Sequence, residues 1–256
     1  ILYSSLTMRE VFITLLLLYG LLYVVLWSKT RKIINAFIAL MAFSLQILLH
    51  PGMAVAGVLF IGLFLLYYTK RFFASLIINS SINVPSFLGL MFCLLFGLYI
   101  SIYSASLIDV IGYKSWLRMD TLVERASIMY IGEAAYPSWL IADTPMQFLL
   151  LLVPKLFYYL FSPFIWDISK FSHIMGMLDG VVFIMLFLLI YSHRKYITSN
   201  PQAFTLLVFV IFLSLVFTIA VGNFGTGLRH RSKILPIVII IAAPFIYRVL
   251  LFKKKK

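Results

Sequence analysis

The residues best suited to chemistry are Arg229, His230 and Arg231, which stand side by side in a chain that is 63% hydrophobic. Each guanidinium can bind two phosphate oxygens in a fixed geometry, and an imidazole can transfer a proton near neutral pH. The three follow a group of glycines: Gly222, Gly225 and Gly227. Because glycine frees the backbone, we expect a polar hinge that approaches a ligand closely. The pattern favours a pyrophosphate site, and the alternative is a charge cluster that only marks topology.

A second candidate lies in the stretch 105–172, which we interpret as one large external loop of a single transmembrane domain. The run 113–129 contains no glycine or proline and predicts a helix against the membrane surface. At about 100° per residue, Lys114, Arg118 and Arg125 fall on one face of that helix. Such a stripe suits a diphosphate or an anionic lipid head group. The alternative is a solvated face on which neighbouring acids balance the charge.

Asp179 lies inside an apolar run, where an acid is costly and usually has a basic partner. Three side chains are candidate partners: Lys155, Arg229 and Arg231. An ion pair of this kind would serve either catalysis or structure alone.

Aromatic side chains of the loop form a further candidate site, and the ones we single out are Tyr136, Trp139 and Trp166. They would either stack on sugar rings or form the interfacial belt that tryptophan and tyrosine favour in membrane proteins. His50 and His173 stand at the ends of apolar runs, and we interpret both as interfacial residues rather than ligands. Because no nucleotide-binding or metal-binding motif occurs, we expect neither a cofactor nor a metal site.

The composition predicts an all-α, polytopic integral membrane protein with about seven spanning helices. Charged residues make up 11% of the chain, against about 25% in a soluble domain. The net charge of +13 would suit nucleic acid, but the basic residues cluster at the ends of apolar runs, as the positive-inside rule requires. We therefore expect membrane lipid, and no nucleic acid, as a partner. The expected spans are about 10–27, 33–49, 53–68, 86–104, 174–191, 203–221 and 234–251.

The segment 146–164 is apolar enough to insert, but we expect Pro154 and Lys155 to break it. If this segment does not cross the bilayer, four basic clusters fall on one side of the membrane. That side then carries 12 basic residues and no acid, and the other side carries nine basic residues and all eight acids. The bias favours a re-entrant or interfacial segment within the external loop.

Four phrases occur in a suggestive order: RASIMYIGEAAYPSWL, FYYLFSPFIWDI, SHIMGMLDG and GNFGTGLRHRSKILP. Together they resemble the late part of bacterial polysaccharide polymerases, the Wzy-type polymerases of O-antigen, which is part of lipopolysaccharide, and of capsule. The matching phrases lie between about 125 and 236. Members of that family are typically longer, and this chain begins with Ile1, so we interpret it as the C-terminal part of a longer protein.

The resemblance implies a glycosyltransferase that joins undecaprenyl-diphosphate-linked repeat units at the outer, periplasmic face of the bacterial inner membrane. It places functional arginines at Arg125, Arg229 and Arg231, and His230 or a loop acid would be the base. A chain-length regulator and a flippase are the protein partners that it implies. The alternatives are another lipid-linked-sugar glycosyltransferase, or a transporter of lipid-linked glycans.

The charge distribution makes a testable prediction about topology. Single cysteines introduced at positions 118, 143 and 229 should react with a membrane-impermeant thiol reagent in intact spheroplasts, because the loop and the RHR cluster are expected outside. A cysteine at position 194 should react only after the cells are opened. Labelling at 194 but not at 229 in intact cells would contradict the placement of 146–164.

Overall fold

The computed structural model describes residues 2–79, 91, 130 and 134–253, with side chains for 9–75, 91, 130 and 134–246. Eight α-helices occur in these residues: α1 (Leu2–Thr30), α2 (Ile33–Leu49), α3 (Ala54–Asn79), α4 (Pro145–Phe161), α5 (Phe171–Ser192), α6 (Arg194–Ser199), α7 (Pro201–Ala220) and α8 (Phe224–Lys253). Short 3-10 turns lie at Pro51–Met53, Ser138–Leu140 and Ile165–Asp167. The described residues contain one isolated β-bridge, between Ala135 and Asn223. The all-helical prediction is confirmed for this part of the chain.

Four helical segments are long and apolar enough to cross a membrane: Arg9–Thr30, Pro51–Ser75, Phe171–Ser192 and Pro201–Ala220. The helix α2 coincides with the expected span 33–49, but at 17 residues it is short for a full crossing. The expected span 86–104 falls outside the described residues apart from Met91. The expected surface helix 113–129 lies outside them entirely. The membrane class is therefore supported, and the expected total of about seven spans stays a prediction.

The chain divides into two compact units, one of residues 1–56 with 123–256 and one of residues 57–122. In the first unit, α1 and α2 form an antiparallel pair joined at Arg31, whose φ of 58° is left-handed. Gly20 of α1 lies against the ring of Phe43, so close that a β-carbon would overlap it. The buried amide of Gln46 donates a 2.8 Å hydrogen bond to the carbonyl of Ile13. In the second unit, the described residues are 57–79, which belong to α3, and Met91.

Two expected breaks in helical structure are wrong. The helix α3 continues past Lys70 and Arg71 to Asn79, well beyond the expected end of that span at about residue 68. Its residues from 72 onward contain no glycine or proline, and the Ser75 hydroxyl donates to the carbonyl of Phe72 and so satisfies itself within the helix. The helix α4 likewise runs unbroken through Pro154. A proline removes one backbone hydrogen bond, and packing on the neighbouring helices outweighs that loss here.

The helix α4 packs on the C-terminal end of α7. Ile219 packs on the small core of Ala142 and Phe148, and the ring of Tyr159 lies 6.3 Å from that of Phe217. The expected re-entrant or interfacial position of the segment 146–164 stays a prediction.

The outer face of α4 is apolar and open. Five of its exposed side chains repeat at helical spacing: Met146, Leu149, Leu150, Val153 and Phe157. The opposite face buries Phe148, Lys155, Tyr158 and Tyr159. An open apolar face of this kind suits contact with membrane lipid.

Candidate functional site

The first turns of α8 form the centre of the site, and they are helical rather than a hinge. The helix begins at Phe224, where the side chain of Asn223 accepts a 2.8 Å hydrogen bond from the backbone N–H of Thr226. The segment 134–136 pairs with this start. Tyr136 donates its N–H to the carbonyl of Gly222, and Phe224 donates its own to that of Ala134. The expected hinge at 222–233 is therefore wrong beyond Asn223, because capping and pairing fix the helix there.

Gly227 has a packing role instead of a hinge role. A β-carbon at this position would lie 2.9 Å from the hydroxyl of Tyr136. The glycine thus lets the loop tyrosine lie directly on the first turn of α8. Residues 134–136 of the loop therefore contact the start of α8, and the expectation that the loop and the RHR cluster share the outer face of the membrane stays a prediction.

Helical geometry separates the two arginines that we expected to act as one clamp. Residues two positions apart on a helix point about 200° apart, whereas residues four apart share a face. Arg229 and Lys233 accordingly face α1, and Arg231 faces α4 and α5. The two guanidinium groups therefore do not form one clamp in this arrangement, and a pyrophosphate site in this segment stays a prediction.

The face toward α1 forms what we call the Glu10 cluster: Arg9, Glu10, His50, Arg229, His230 and Lys233. Arg229 donates from Nε to Oε1 of Glu10 at 2.7 Å, and its Nη2 contacts the same oxygen. Lys233, whose side chain is fully buried, places Nζ 2.9 Å from Oε2 of Glu10. Arg9 lies 3.8 Å from Oε1. One carboxylate thus serves three cations.

The two histidines of the cluster differ in what their ring nitrogens can do. The His230 ring stacks on Phe217 at 4.5 Å, and its Nδ1 lies 3.2 Å from Nζ of Lys233. Because an ammonium only donates, Nδ1 of His230 accepts and the ring is neutral with its proton on Nε2. The His50 ring lies edge-on to His230 at 5.8 Å, and its buried Nδ1 has no hydrogen-bond partner. Burial, and then the charge of Lys233, lower the pKa of His50.

With both imidazoles neutral, the Glu10 cluster carries three positive charges and one negative charge, a net charge of +2. The side chains of Arg9 and Arg229 are 40% and 42% exposed, so the excess charge can be reached from outside the bundle. A cluster of this kind attracts an anion with two charges and can bind it through guanidinium donors.

The opposite face of α8 holds a balanced ion pair. The guanidinium of Arg231, which is 1% exposed, places Nη2 3.0 Å from Oδ2 of Asp179 on α5 and donates from Nη1 to the carbonyl of Leu160 at 2.8 Å. The prediction that Asp179 pairs with one of three cations is confirmed, and the partner is Arg231. Lys155 instead lies over the rings of Tyr130 and Phe148, at 5.1 and 5.3 Å.

The aromatic candidates fall into two groups. Tyr136 is 3% exposed and packs between Tyr158 and Phe224, so its ring has no free face for a sugar, and that expectation is wrong for this residue. Trp139 and Trp166 are open, and the indole N–H of Trp166 donates to the hydroxyl of Tyr158 at 3.3 Å. Ile165 next to Trp166 is just as open. These rings fit both a sugar surface and an interfacial belt.

Sequence reasoning missed Glu10 as a site residue. The signal for Glu10 was an acid at the start of an apolar span, the same signal that identified Asp179. His50, expected to be only interfacial, joins the cluster. The positions Lys114, Arg118 and Arg125 lie outside the described residues. Within the described ranges, no group of three His, Cys, Asp or Glu side chains has a geometry that could hold a metal ion.

No protein-family model, no curated protein and no solved structure matches this chain. The resemblance to polysaccharide polymerases therefore rests on the four phrases of the sequence.

The two faces of α8 should differ in their effect on stability. Replacing Arg231 by glutamine leaves Asp179 without a cation in a buried setting, and we expect the free energy of unfolding to fall by about 3 kcal/mol. The matched variant Arg229→Gln should cost less than about 1 kcal/mol, because that side chain is partly exposed and Glu10 keeps Lys233. Denaturant unfolding of the detergent-solubilised protein measures both. Equal losses would contradict the assignment of a structural pair and an open cluster.

Proposed function

We propose that this chain belongs to a membrane glycosyltransferase that polymerises undecaprenyl-diphosphate-linked repeat units, and that the Glu10 cluster binds the diphosphate. The observation that supports this is the net charge of +2 on a cluster with two reachable guanidinium groups. A diphosphate ester needs several donors and more than one compensating charge. The balanced pair of Arg231 and Asp179 offers neither.

The position of the Glu10 cluster suits a lipid head group. Glu10 stands in the first turn of the apolar segment Arg9–Thr30, and Lys233 directly precedes the apolar part of α8. Both residues therefore lie at the border between polar and apolar surface. The phosphates of a lipid occupy the same border in a bilayer.

In the proposed reaction, the hydroxyl oxygen of one lipid-linked glycan bonds to the anomeric carbon of another. The bond between that carbon and the diphosphate oxygen breaks, and the lipid diphosphate leaves with the electron pair. Arg229, Arg9 and Lys233 would stabilise the charge that develops on the leaving oxygen. Glu10 holds these cations in position before the substrate arrives.

The proton of the attacking hydroxyl needs an acceptor, and His50 fits this role better than His230. The Nδ1 of His230 is engaged by Lys233, whereas the Nδ1 of His50 has no partner. A lowered pKa keeps His50 neutral at neutral pH, which a general base requires. Arg231 would act as a positioning residue that holds α8 to α4 and α5, while the role of Arg125 stays a prediction from the resemblance.

The main prediction concerns Arg229→Lys, which keeps the charge but loses the planar pair of donors. We expect the rate of chain elongation from purified lipid-linked repeat units to fall about a hundredfold, since one oriented donor at a developing anion is worth about 3 kcal/mol. Arg194→Lys, at the start of α6, is the matched control and should elongate normally. Normal elongation by Arg229→Lys would remove this residue from the mechanism.

The same assay separates a polymerase from a transporter of lipid-linked glycans. A polymerase elongates glycans in detergent, where no two sides of a membrane exist. A transporter moves labelled lipid-linked glycan across proteoliposomes and leaves its length unchanged. Transport without elongation would reject the proposed reaction.

A second prediction concerns pH. If His50 is the base, kcat/KM should rise with pH through a pKa below the usual 6.5 and then level off. His50→Gln should slow the reaction about a hundredfold and abolish the rise of kcat/KM on the acid side of the pH profile, which we call the acid limb. His193→Gln, whose ring stacks on Phe245, is the control and should keep it. An unchanged acid limb in His50→Gln would rule out His50 as the base.

A further inference from the structure

We infer that a groove between α1 and α8 holds the hydrocarbon chain of a single-chain anionic lipid whose head group lies in the Glu10 cluster. The identity of that lipid as an isoprenoid diphosphate rests on the proposed function. The location of the chain rests on the groove itself.

The groove has a volume of about 170 Å³ and is lined only by leucine, isoleucine and valine. Most of its lining comes from two helices: Leu18, Leu21, Leu22 and Val25 of α1, and Ile237 and Ile240 of α8. These are the same two helices that carry Glu10 and Lys233. The head-group site and the apolar groove therefore both lie between α1 and α8.

The register of the two helices places the groove deeper than the cluster on both sides. Along α8, Ile237 and Ile240 lie about 6 and 10 Å beyond Lys233, at 1.5 Å per residue. Along α1, Leu18 and Val25 lie about 12 and 22 Å beyond Glu10. With the head group at the membrane border, a chain in this groove would run toward the bilayer centre, about 15 Å away.

The rim of the groove is open to the side. Leu22 is 53% exposed and Ile240 is 52% exposed, while Leu21 and Ile237 at the floor are buried. A lipid could therefore enter from the bilayer without passing through water. Because neighbouring helix axes lie about 8–10 Å apart, the space between two of them fits one chain better than two.

A second groove provides a comparison within the same unit. It has about 210 Å³ and is lined by residues of α5, α6 and α7, among them Ile190 and Ile211. Its lining includes one basic side chain, Arg194, which lies over the ring of Tyr191. The two grooves are similar in size, and the Glu10 cluster adjoins the first of them.

The test compares two tryptophan substitutions at isoleucines of similar exposure: Ile240→Trp in the first groove and Ile211→Trp in the second. Binding of a long-chain isoprenoid diphosphate to the purified chain, measured by native mass spectrometry, should weaken at least tenfold for Ile240→Trp. It should stay unchanged for Ile211→Trp. Inorganic diphosphate, which has no chain, should bind both variants as it binds the parent protein. Leu22→Trp on the opposite rim repeats the test, and thermal unfolding shows that each variant is folded.

Several outcomes would overturn the inference. Equal affinity of Ile240→Trp and Leu22→Trp for the long-chain lipid would place the chain elsewhere. Equal competition by phosphatidylglycerol, which has two chains, would mean that the groove takes bulk membrane lipid. The proposed function fails separately: specific lipid binding that Ile240→Trp weakens, without any glycan elongation by the parent protein, would reject the polymerase and leave the groove assignment standing.

Discussion

The arrangement depends on the burial of cations at the start of α8. Lys233 and Arg231 are 0% and 1% exposed, and an unpaired charge in such a setting is costly. Glu10 of α1 meets the first and Asp179 of α5 meets the second, from opposite sides of the helix. These two ion pairs join α1 and α5 to the start of α8. They also explain how a helix can carry three cationic side chains within its first ten residues.

The two faces of α8 differ in net charge, and this difference suits one face to a structural role and the other to anion binding. On one face a single guanidinium meets a single carboxylate and a backbone carbonyl, which leaves little for a ligand to gain. On the other face Glu10 is shared by Arg9, Arg229 and Lys233. A carboxylate that holds three cations keeps them in place without neutralising them. This arrangement is preorganised for an anion, which is how enzymes stabilise charge that develops during a reaction.

The surroundings of the Glu10 cluster match an amphipathic ligand. Next to it the loop residues 134–136 pair with 222–224, and the helix α4 covers the end of α7. Below it the apolar groove between α1 and α8 opens sideways. Along α1 and α8, the charged Glu10 cluster thus matches the polar head group of a lipid, and the apolar groove matches its hydrocarbon chain. A soluble nucleotide has no hydrocarbon chain that could occupy such a groove.

The sequence by itself determined the class of protein, the start and end of α2 and the need of Asp179 for a cation, because these follow from hydropathy and the cost of a buried charge. It also identified the polar segment at 222–233, but not its conformation. Only the tertiary structure decided that this segment is helical and that Arg229 and Arg231 point apart, because capping by Asn223 and pairing with the loop outweigh the glycines. Only the fold could bring Glu10 to Arg229, 219 residues away. Such a contact depends on how helices pack, which local pattern does not encode.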